Sequence, residues 1–422
     1  MKKLAGNKHK IAIIGNGCAG AECIKALRQS GYDGEIHILT DSKWPIYNPM
    51  LTTYYVSGKI NFDKLFPYGN GDEFYREYSV KVHSKSPVVA LDAEKRVVAN
   101  QAGFELNYDQ CLISSGASPF VPPIEGLRPD RTYLMRTVDD AVRLKKAMDK
   151  KPHKALVIGA SMIGIKLTEL FYQAGMEICL ADLADRIFPL AAHPDCSGII
   201  TELLSKSGIK FRFGVNLKKV EYSKRGIKAY FNYDETEEAD LLVICIGVRP
   251  NMGFIDGKQV EMEQGVLVEE RMMTNVPGLY AAGDVAQGKN LLTGTAQIIG
   301  LLANARYQGR TAGRNMAGVR ETFPGNIPHN ISHFMGMDFV GIGDTCDYDR
   351  MEQKSDGKRF MQLFWRNDLL TGANLVDTCT EAGVIKNALI KGLMQNKPDY
   401  YTPLPVVQNL LIRNILAEVE KA

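Results

Sequence analysis

The fold is decided by the stretch Ile11-Ala-Ile-Ile-Gly15-Asn16-Gly17-Cys18-Ala19-Gly20, followed by a helical run over 21–29 and then by Glu35-Ile-His-Ile-Leu39-Thr-Asp41. The apolar run reads as a buried strand, the glycines as a turn, and Asp41 closes a second strand 26 residues after Gly15. Each glycine has a mechanical reason. Gly15 permits the tight turn, Gly17 lets the backbone approach a pyrophosphate, and Gly20 lets the helix pack on the strand. The diphosphate faces the helix N-terminus, where N–H groups and the macrodipole favour anions; Asn16, Cys18 and Ala19 belong to the same cradle. Asp41 stands where its carboxylate accepts the ribose hydroxyls.

The design repeats. Ala155-Leu-Val-Ile-Gly159-Ala-Ser161-Met162-Ile163-Gly164, a helical run over 165–174 and a strand over 177–180 lead to Asp182, with the two first glycines 144 residues apart. Serine replaces the middle glycine, and as the smallest substitute it offers a hydroxyl that can donate to phosphate. A carboxylate at Asp182 repels a 2′-phosphate and so favours NADH over NADPH, whereas Arg186 argues the other way. Two such units make this an α/β protein with two Rossmann-like dinucleotide-binding domains.

Composition is that of an ordinary soluble globular protein: 422 residues, 45% hydrophobic and 23% charged. Net charge is only +3, which argues against nucleic-acid and membrane-surface partners. No run reaches the roughly 20 apolar residues of a membrane helix. The eight cysteines show neither C-x-x-C nor zinc spacing, and they point to a reducing compartment, the cytoplasm.

Proline clusters set the expected boundaries. They end a first part at 1–121 and set off 326–397 as a C-terminal α+β domain, with an amphipathic helix over 398–422. Within these, 239–246 and 278–282 read as buried strands, 251–270 as a return crossover and 331–343, 360–366 and 372–377 as antiparallel strands. Helices are expected over 381–395 and 403–421. The acidic run 234–238 reads as a solvated hairpin tip. His329 and His333 share a strand face about 13 Å apart, too far to bind one metal. Trp44 and Trp365 read as packing residues.

Ser114-Ser115-Gly116, Ile246-Gly247-Val-Arg-Pro250 and Tyr280-Ala-Ala-Gly283-Asp284-Val285 stand in order around the two glycine turns. Tyr47-Asn48-Pro-Met-Leu-Thr-Thr53, Tyr133-Leu-Met-Arg136-Thr-Val-Asp139, 336–344 and 372–378 add to the pattern. Together they resemble the FAD- and NAD(P)-dependent pyridine nucleotide oxidoreductases, over roughly residues 8–380. The likeness is greatest to the flavin part of NADH-nitrite reductase and to rubredoxin and ferredoxin reductases. The resemblance implies a glutathione-reductase-like fold, with FAD in the first unit and NADH in the second. It implies that 251–325 returns to the first domain, leaving 122–250 as the second. It also implies that Ser114, Ser115 and Gly116 cross the FAD, and that Gly283 and Asp284 bind its ribityl–phosphate part. Val88 would contact adenine, Tyr47, Asn48 and Arg136 would lie near the flavin, and Gly247 near the nicotinamide. A helix starting near 293–296, with Thr295 and Ala296 in its first turn, would point at the flavin pyrimidine edge.

Departures from the family pattern shape the expected chemistry. Disulfide reductases carry a redox cysteine pair early in the first domain, and the peroxidases and coenzyme A disulfide reductases carry one cysteine near the Tyr47 segment. Between Asp41 and Arg76 there is none, and Cys18 and Cys23 match neither pattern. Electrons are therefore expected to leave the flavin without a thiol relay. Relatives often pair a lysine, here Thr53, with a glutamate, here Lys166; the expectation is that Lys166 alone supplies positive charge near flavin N5. Pro49 replaces an arginine that often contacts the flavin.

The expected activity is FAD-dependent NADH:acceptor oxidoreduction, with hydride exchanged between NAD(H) and FAD. Electrons would pass to a separate redox protein or iron–sulfur subunit, in an oligomer or hetero-complex. One concrete form is the flavin subunit of a 2-oxoacid dehydrogenase such as phenylglyoxylate dehydrogenase. The alternatives are an NADH oxidase using oxygen and a non-catalytic flavin- and NADH-binding interaction subunit.

Overall fold

A computed structural model describes residues 9–224 and 226–394. The chain forms two compact units, each assembled from two separate stretches. One joins the residues up to Ser118 with Val248–Asn326; the other joins Pro119–Gly247 with the residues from Ile327 onward.

The first unit is built on a parallel sheet in the order Leu279–Ala281, Gln110–Ile113, Lys10–Ile14, Glu35–Leu39, Val80–His83. Ile11, Ala12, Ile13 and Ile14 are all buried, as a strand covered on both faces requires. One cover is the helix Cys18–Gln29 with the helix Leu302–Met316. Their backbones touch: a Cβ at Gly309 would lie 2.2 Å from the carbonyl oxygen of Ala19, and one at Gly313 would lie 2.4 Å from that of Cys23. The other cover is a small antiparallel sheet, Val88–Asp92, Val97–Asn100 and Glu105–Asn107, whose Leu91, Val98 and Leu106 pack on Ala12, Ile14 and Leu39.

The second unit repeats the parallel design in the order Lys210–Phe213, Glu177–Asp182, Lys154–Ile158, Leu241–Ile244, Thr132–Tyr133, with the helix Met162–Gln173 after the first strand. A five-stranded antiparallel sheet follows from Ile327, in the order His329–Phe334, Met337–Gly343, Leu369–Val376, Phe360–Arg366, Arg350–Ser355, and it is backed by the helix Ala382–Met394. This sheet belongs to the same compact unit as the second dinucleotide fold rather than standing apart. Polar clasps explain the union. Lys166 Nζ donates to Glu169 Oε2 at 2.5 Å and to the His333 carbonyl at 2.6 Å, while Met335 N donates to Glu169 Oε1 at 3.1 Å.

Several expectations change. Both glycine-turn helices begin three residues earlier than read, at Cys18 and Met162. The segment 251–270 returns the chain without a helix. The run 239–246 divides between Thr236–Ala239 and Leu241–Ile244, which lie in different sheets. The helix expected over 403–421 lies outside the described residues. The acidic run is not wholly solvated: Glu237 is 5% exposed. Its carboxylate meets Lys154 and Lys210 at 2.8 Å and Arg212 Nε at 2.9 Å. Burial works to raise this carboxyl, but hydrogen bonds from the three cations outweigh it and take it down to about 2.

A carboxylate so depressed stabilises the fold above its unfolded value, and that contribution is lost as pH falls toward 2. Glu237→Gln is expected to lower stability at neutral pH by about 2–4 kcal/mol, since it leaves three cations without their shared anion. In urea unfolding the gap between wild type and variant narrows as pH drops below about 4.3.

Candidate functional site

The first cradle begins where Lys10–Ile14 ends. Gly15 has φ +104, and a Cβ there would lie 2.3 Å from the carbonyl oxygen of Ser114. Ser114 Oγ donates to the Ile14 carbonyl at 3.0 Å, so the 114–116 segment is closed against the turn. At Gly20 a Cβ would meet the Gly15 carbonyl oxygen at 2.9 Å, whereas at Gly17 it would project into open space. Gly17 is the N-cap of the helix Cys18–Gln29 and provides no side-chain cap, which leaves this end suited to an anion. Asn16 turns its amide away, to the Trp44 carbonyl at 3.2 Å and Tyr75 Oη at 2.7 Å. Asp41 is exposed two residues past the strand Glu35–Leu39. Gly116 has φ +65 with open space beside it.

Other parts of this cradle were not read from the sequence. Asn251 ties the 114–116 segment down: Ser115 Oγ donates to its carbonyl at 2.7 Å, and its Nδ2 donates to the Ser115 carbonyl at 3.0 Å. Gln308 accepts from Gly283 N at 2.9 Å. The helix expected to open near 293–296 begins at Leu302. Thr295 instead closes a turn through Asn290 N, and Ala296 pairs with Lys289 in a short hairpin. Gly300, just before the helix, faces Asp284: a Cβ there would be 3.7 Å from Asp284 Oδ1. The helix N-terminus therefore lies near 301–304 and not at Thr295 and Ala296. The spacing of Ala305, Gly309 and Gly313, small residues every four positions, was the available signal.

Three further residues have local roles. Asn48 Oδ1 accepts from Met50 N at 3.0 Å, capping the short turn Pro49–Leu51 behind Tyr47. Val88 starts the small antiparallel sheet. Arg136 N donates to Asp140 Oδ2 at 3.2 Å, at the start of the helix Val138–Met148.

The second cradle copies the first with one change. Gly159 has φ +115, and its Cβ would lie 2.3 Å from the Cys245 carbonyl oxygen; Gly164 would meet the Gly159 carbonyl at 1.9 Å. Ser161 does not keep its hydroxyl for phosphate: it donates to the Cys245 carbonyl at 2.9 Å and accepts from Gly164 N at 3.3 Å. The helix end at Met162 and Ile163 is thus partly capped from within. Asp182 ends its strand as read, and its oxygens accept from Ala160 N at 2.5 Å and Ala184 N at 2.7 Å. A carboxylate has about four acceptor positions, so capacity for a ribose remains. Arg186 is turned to Asp185 at 2.8 Å and the Pro189 carbonyl at 3.3 Å. Gly247, φ +113, borders open space.

The described cysteines are all free thiols. Burial, then Glu22, pushes Cys18 up to about 11, and burial alone raises Cys23. Neither supplies a thiolate at neutral pH. Lys166 is not a solvated helix lysine, and its charge is shared with Glu169.

The first cradle fits a dinucleotide, because Gly17 stands open where phosphate would lie and Asp41 is exposed beyond the second strand; the second keeps the same turn and its strand-end Asp182, with Ser161 in place of the open glycine. Gly17→Ala tests the first. Its backbone is extended and its Cβ meets nothing, so folding stability should change by less than about 0.5 kcal/mol while FAD content of the purified protein collapses. Equal FAD content would contradict this use of the turn.

Comparison with known proteins agrees. The family model described as pyridine nucleotide-disulphide oxidoreductase matches residues 9–309. The epsilon subunit of the NADH-dependent phenylglyoxylate dehydrogenase of Aromatoleum evansii is 29% identical over 391 residues, 90% of this chain and 91% of that one. An NADH oxidase of Methanocaldococcus jannaschii is 28% identical over 79% of this chain and 76% of its own. Among solved structures, the water-forming NADH oxidase of Lactobacillus brevis shares the fold with a TM-score of 0.87 at 22% identity, covering 98% of this chain and 99% of that one. The chain belongs to the pyridine nucleotide-disulphide oxidoreductase family, as an FAD- and NAD(H)-using flavin oxidoreductase.

Proposed function

We propose that this protein exchanges hydride between NAD(H) and FAD and passes electrons to a separate redox protein or iron–sulfur subunit, with no protein thiol in the path. The observation that carries this is the pairing of two glycine-turn cradles with a stretch from Asp41 to Arg76 that holds no cysteine, while Cys18 is half-buried and Cys23 buried as free thiols. When bound, FAD supplies two-electron exchange with NADH and one-electron exchange with an acceptor.

The protein's part is to hold and orient. The Gly15–Gly20 turn and the uncapped helix end take the FAD diphosphate, and Asp41 takes its ribose. The 114–116 segment, tied to Asn251, crosses the cofactor, and Gly283, Asp284 and the helix end near 301–304 take its other half. Tyr47, Asn48, Val88 and Arg136 complete the lining. Gly159, Met162, Ile163 and Gly164 take the NADH diphosphate, Asp182 its ribose and Gly247 its nicotinamide side. With Arg186 held by Asp185 and Pro189, Asp182 sets the preference for NADH. Lys166 contributes a charge that Glu169 offsets, so its influence on the flavin is smaller than that of a lone cation.

A separate acceptor is supported by the likeness to a dehydrogenase subunit. Eight cysteines without a pairing pattern support a cytoplasmic location for the protein, and no helix among the described residues is long and apolar enough to cross a membrane. The second reading, direct reduction of oxygen, is favoured by the likeness to an NADH oxidase.

Stopped-flow mixing decides between them. Protein pre-reduced with one equivalent of NADH should be reoxidised at least tenfold faster by an oxidised iron–sulfur protein than by air-saturated buffer. Faster reoxidation by oxygen would establish the oxidase instead. In the same preparation Lys166→Met should lower the flavin midpoint potential; an unchanged potential removes Lys166 from the flavin's surroundings.

A further inference from the structure

We propose that Asn374, on the C-terminal sheet, is a positioning residue for NADH: it fixes the backbone of residues 183–193 so that Asp182 and the Gly159 turn keep their nucleotide-binding shape. This rests on the reading that NADH occupies the second cradle.

Ala160, inside the glycine turn, is held at both ends. Its N–H donates to Asp182 Oδ2 at 2.5 Å, and its carbonyl accepts from Phe188 N at 2.9 Å. Phe188 therefore links the turn to the loop that follows Asp182. Yet Phe188 sits at φ +51, in the left-handed region that a bulky residue adopts only when its surroundings impose it. The surroundings are the C-terminal sheet. The Phe188 ring stacks on Phe339 with centroids 4.9 Å apart and meets Phe334 edge-on at 5.7 Å. At the loop tip Leu190 is 98% exposed, while Ala191 N and Ala192 N donate to the Phe188 carbonyl at 2.8 Å.

Asn374 closes the other side of that tip. It is 0% exposed on the strand Leu369–Val376. Its Nδ2 donates to the Ala191 carbonyl at 2.8 Å, and its Oδ1 accepts from His193 N at 2.7 Å. A short amide supplies one donor and one acceptor to a backbone segment; an aspartate would set its charge against the Ala191 carbonyl. A fully buried polar side chain between apolar strand neighbours is costly unless both its bonds are made. Gly341 completes the seat, because a Cβ there would lie 2.4 Å from the Ala191 carbonyl oxygen. The antiparallel sheet is thus shaped to receive one stretch of the dinucleotide fold, and that stretch begins at the ribose-binding carboxylate.

The test uses FAD-loaded protein and ADP-ribose, which carries the diphosphate and adenosine ribose but cannot react. Calorimetry should show the dissociation constant for ADP-ribose rising about tenfold in Asn374→Ala, the scale of one or two lost buried hydrogen bonds. KM for NADH should rise with it, while flavin reduction at saturating NADH stays within about twofold of wild type. Gly341→Ala keeps every polar partner and pushes Ala191 outward, so it should reproduce the effect even if Asn374→Ala folds poorly. A dissociation constant unchanged in the variants that fold, or a loss confined to the saturated rate, overturns the proposal. Asp182→Ala separates the two levels. If it weakens ADP-ribose while the other variants do not, only the role of Asn374 fails. If it too has no effect, the assignment of NADH to this cradle fails first.

Discussion

Everything in this molecule depends on a place where no side chain fits. At Gly15 and again at Gly159, the carbonyl oxygen of a neighbouring segment stands 2.3 Å from where a Cβ would be. In each unit that contact draws a third strand, the one ending near Ser114 or Cys245, against the strand–turn–helix, and so opens a cradle of backbone N–H groups at the sheet's carboxyl end. A phosphate-binding site is the by-product of close backbone packing. The copies differ at the middle position of the turn: Gly17 leaves the first cradle open, while the Ser161 hydroxyl turns inward to Cys245 and Gly164 in the second.

The parts legible in the sequence were those governed by local rules. Glycine spacing, apolar runs and strand-end acids gave the two cradles, because a turn that excludes a Cβ leaves its mark on the residue type. Long-range partners were not legible. Asn251, Gln308 and Asn374 act across 136, 25 and 183 positions. An isolated amide in a sequence carries no sign of which backbone it will meet. Glu237 was misjudged for the same reason, since its cations come from strands starting at Lys154 and Lys210. The helix expected near 293–296 was misplaced because a Gly-Thr hairpin looks like a helix start until its pairing is known.

The family takes its name from a disulfide, yet five of the described cysteines of this chain are core residues. Cys23, Cys111, Cys179, Cys196 and Cys245 are buried, and burial raises each thiol above its ordinary range. A buried neutral thiol behaves as a small apolar group and is a poor nucleophile.

Anaerobic titration with NADH, followed by flavin absorbance and by thiol counting in denaturant, addresses that point directly. With flavin alone carrying electrons, bleaching is complete at one NADH per FAD and the thiol count does not change. Consumption of two NADH per FAD, together with two new thiols per chain, would show that a disulfide shares the electrons and would contradict the account.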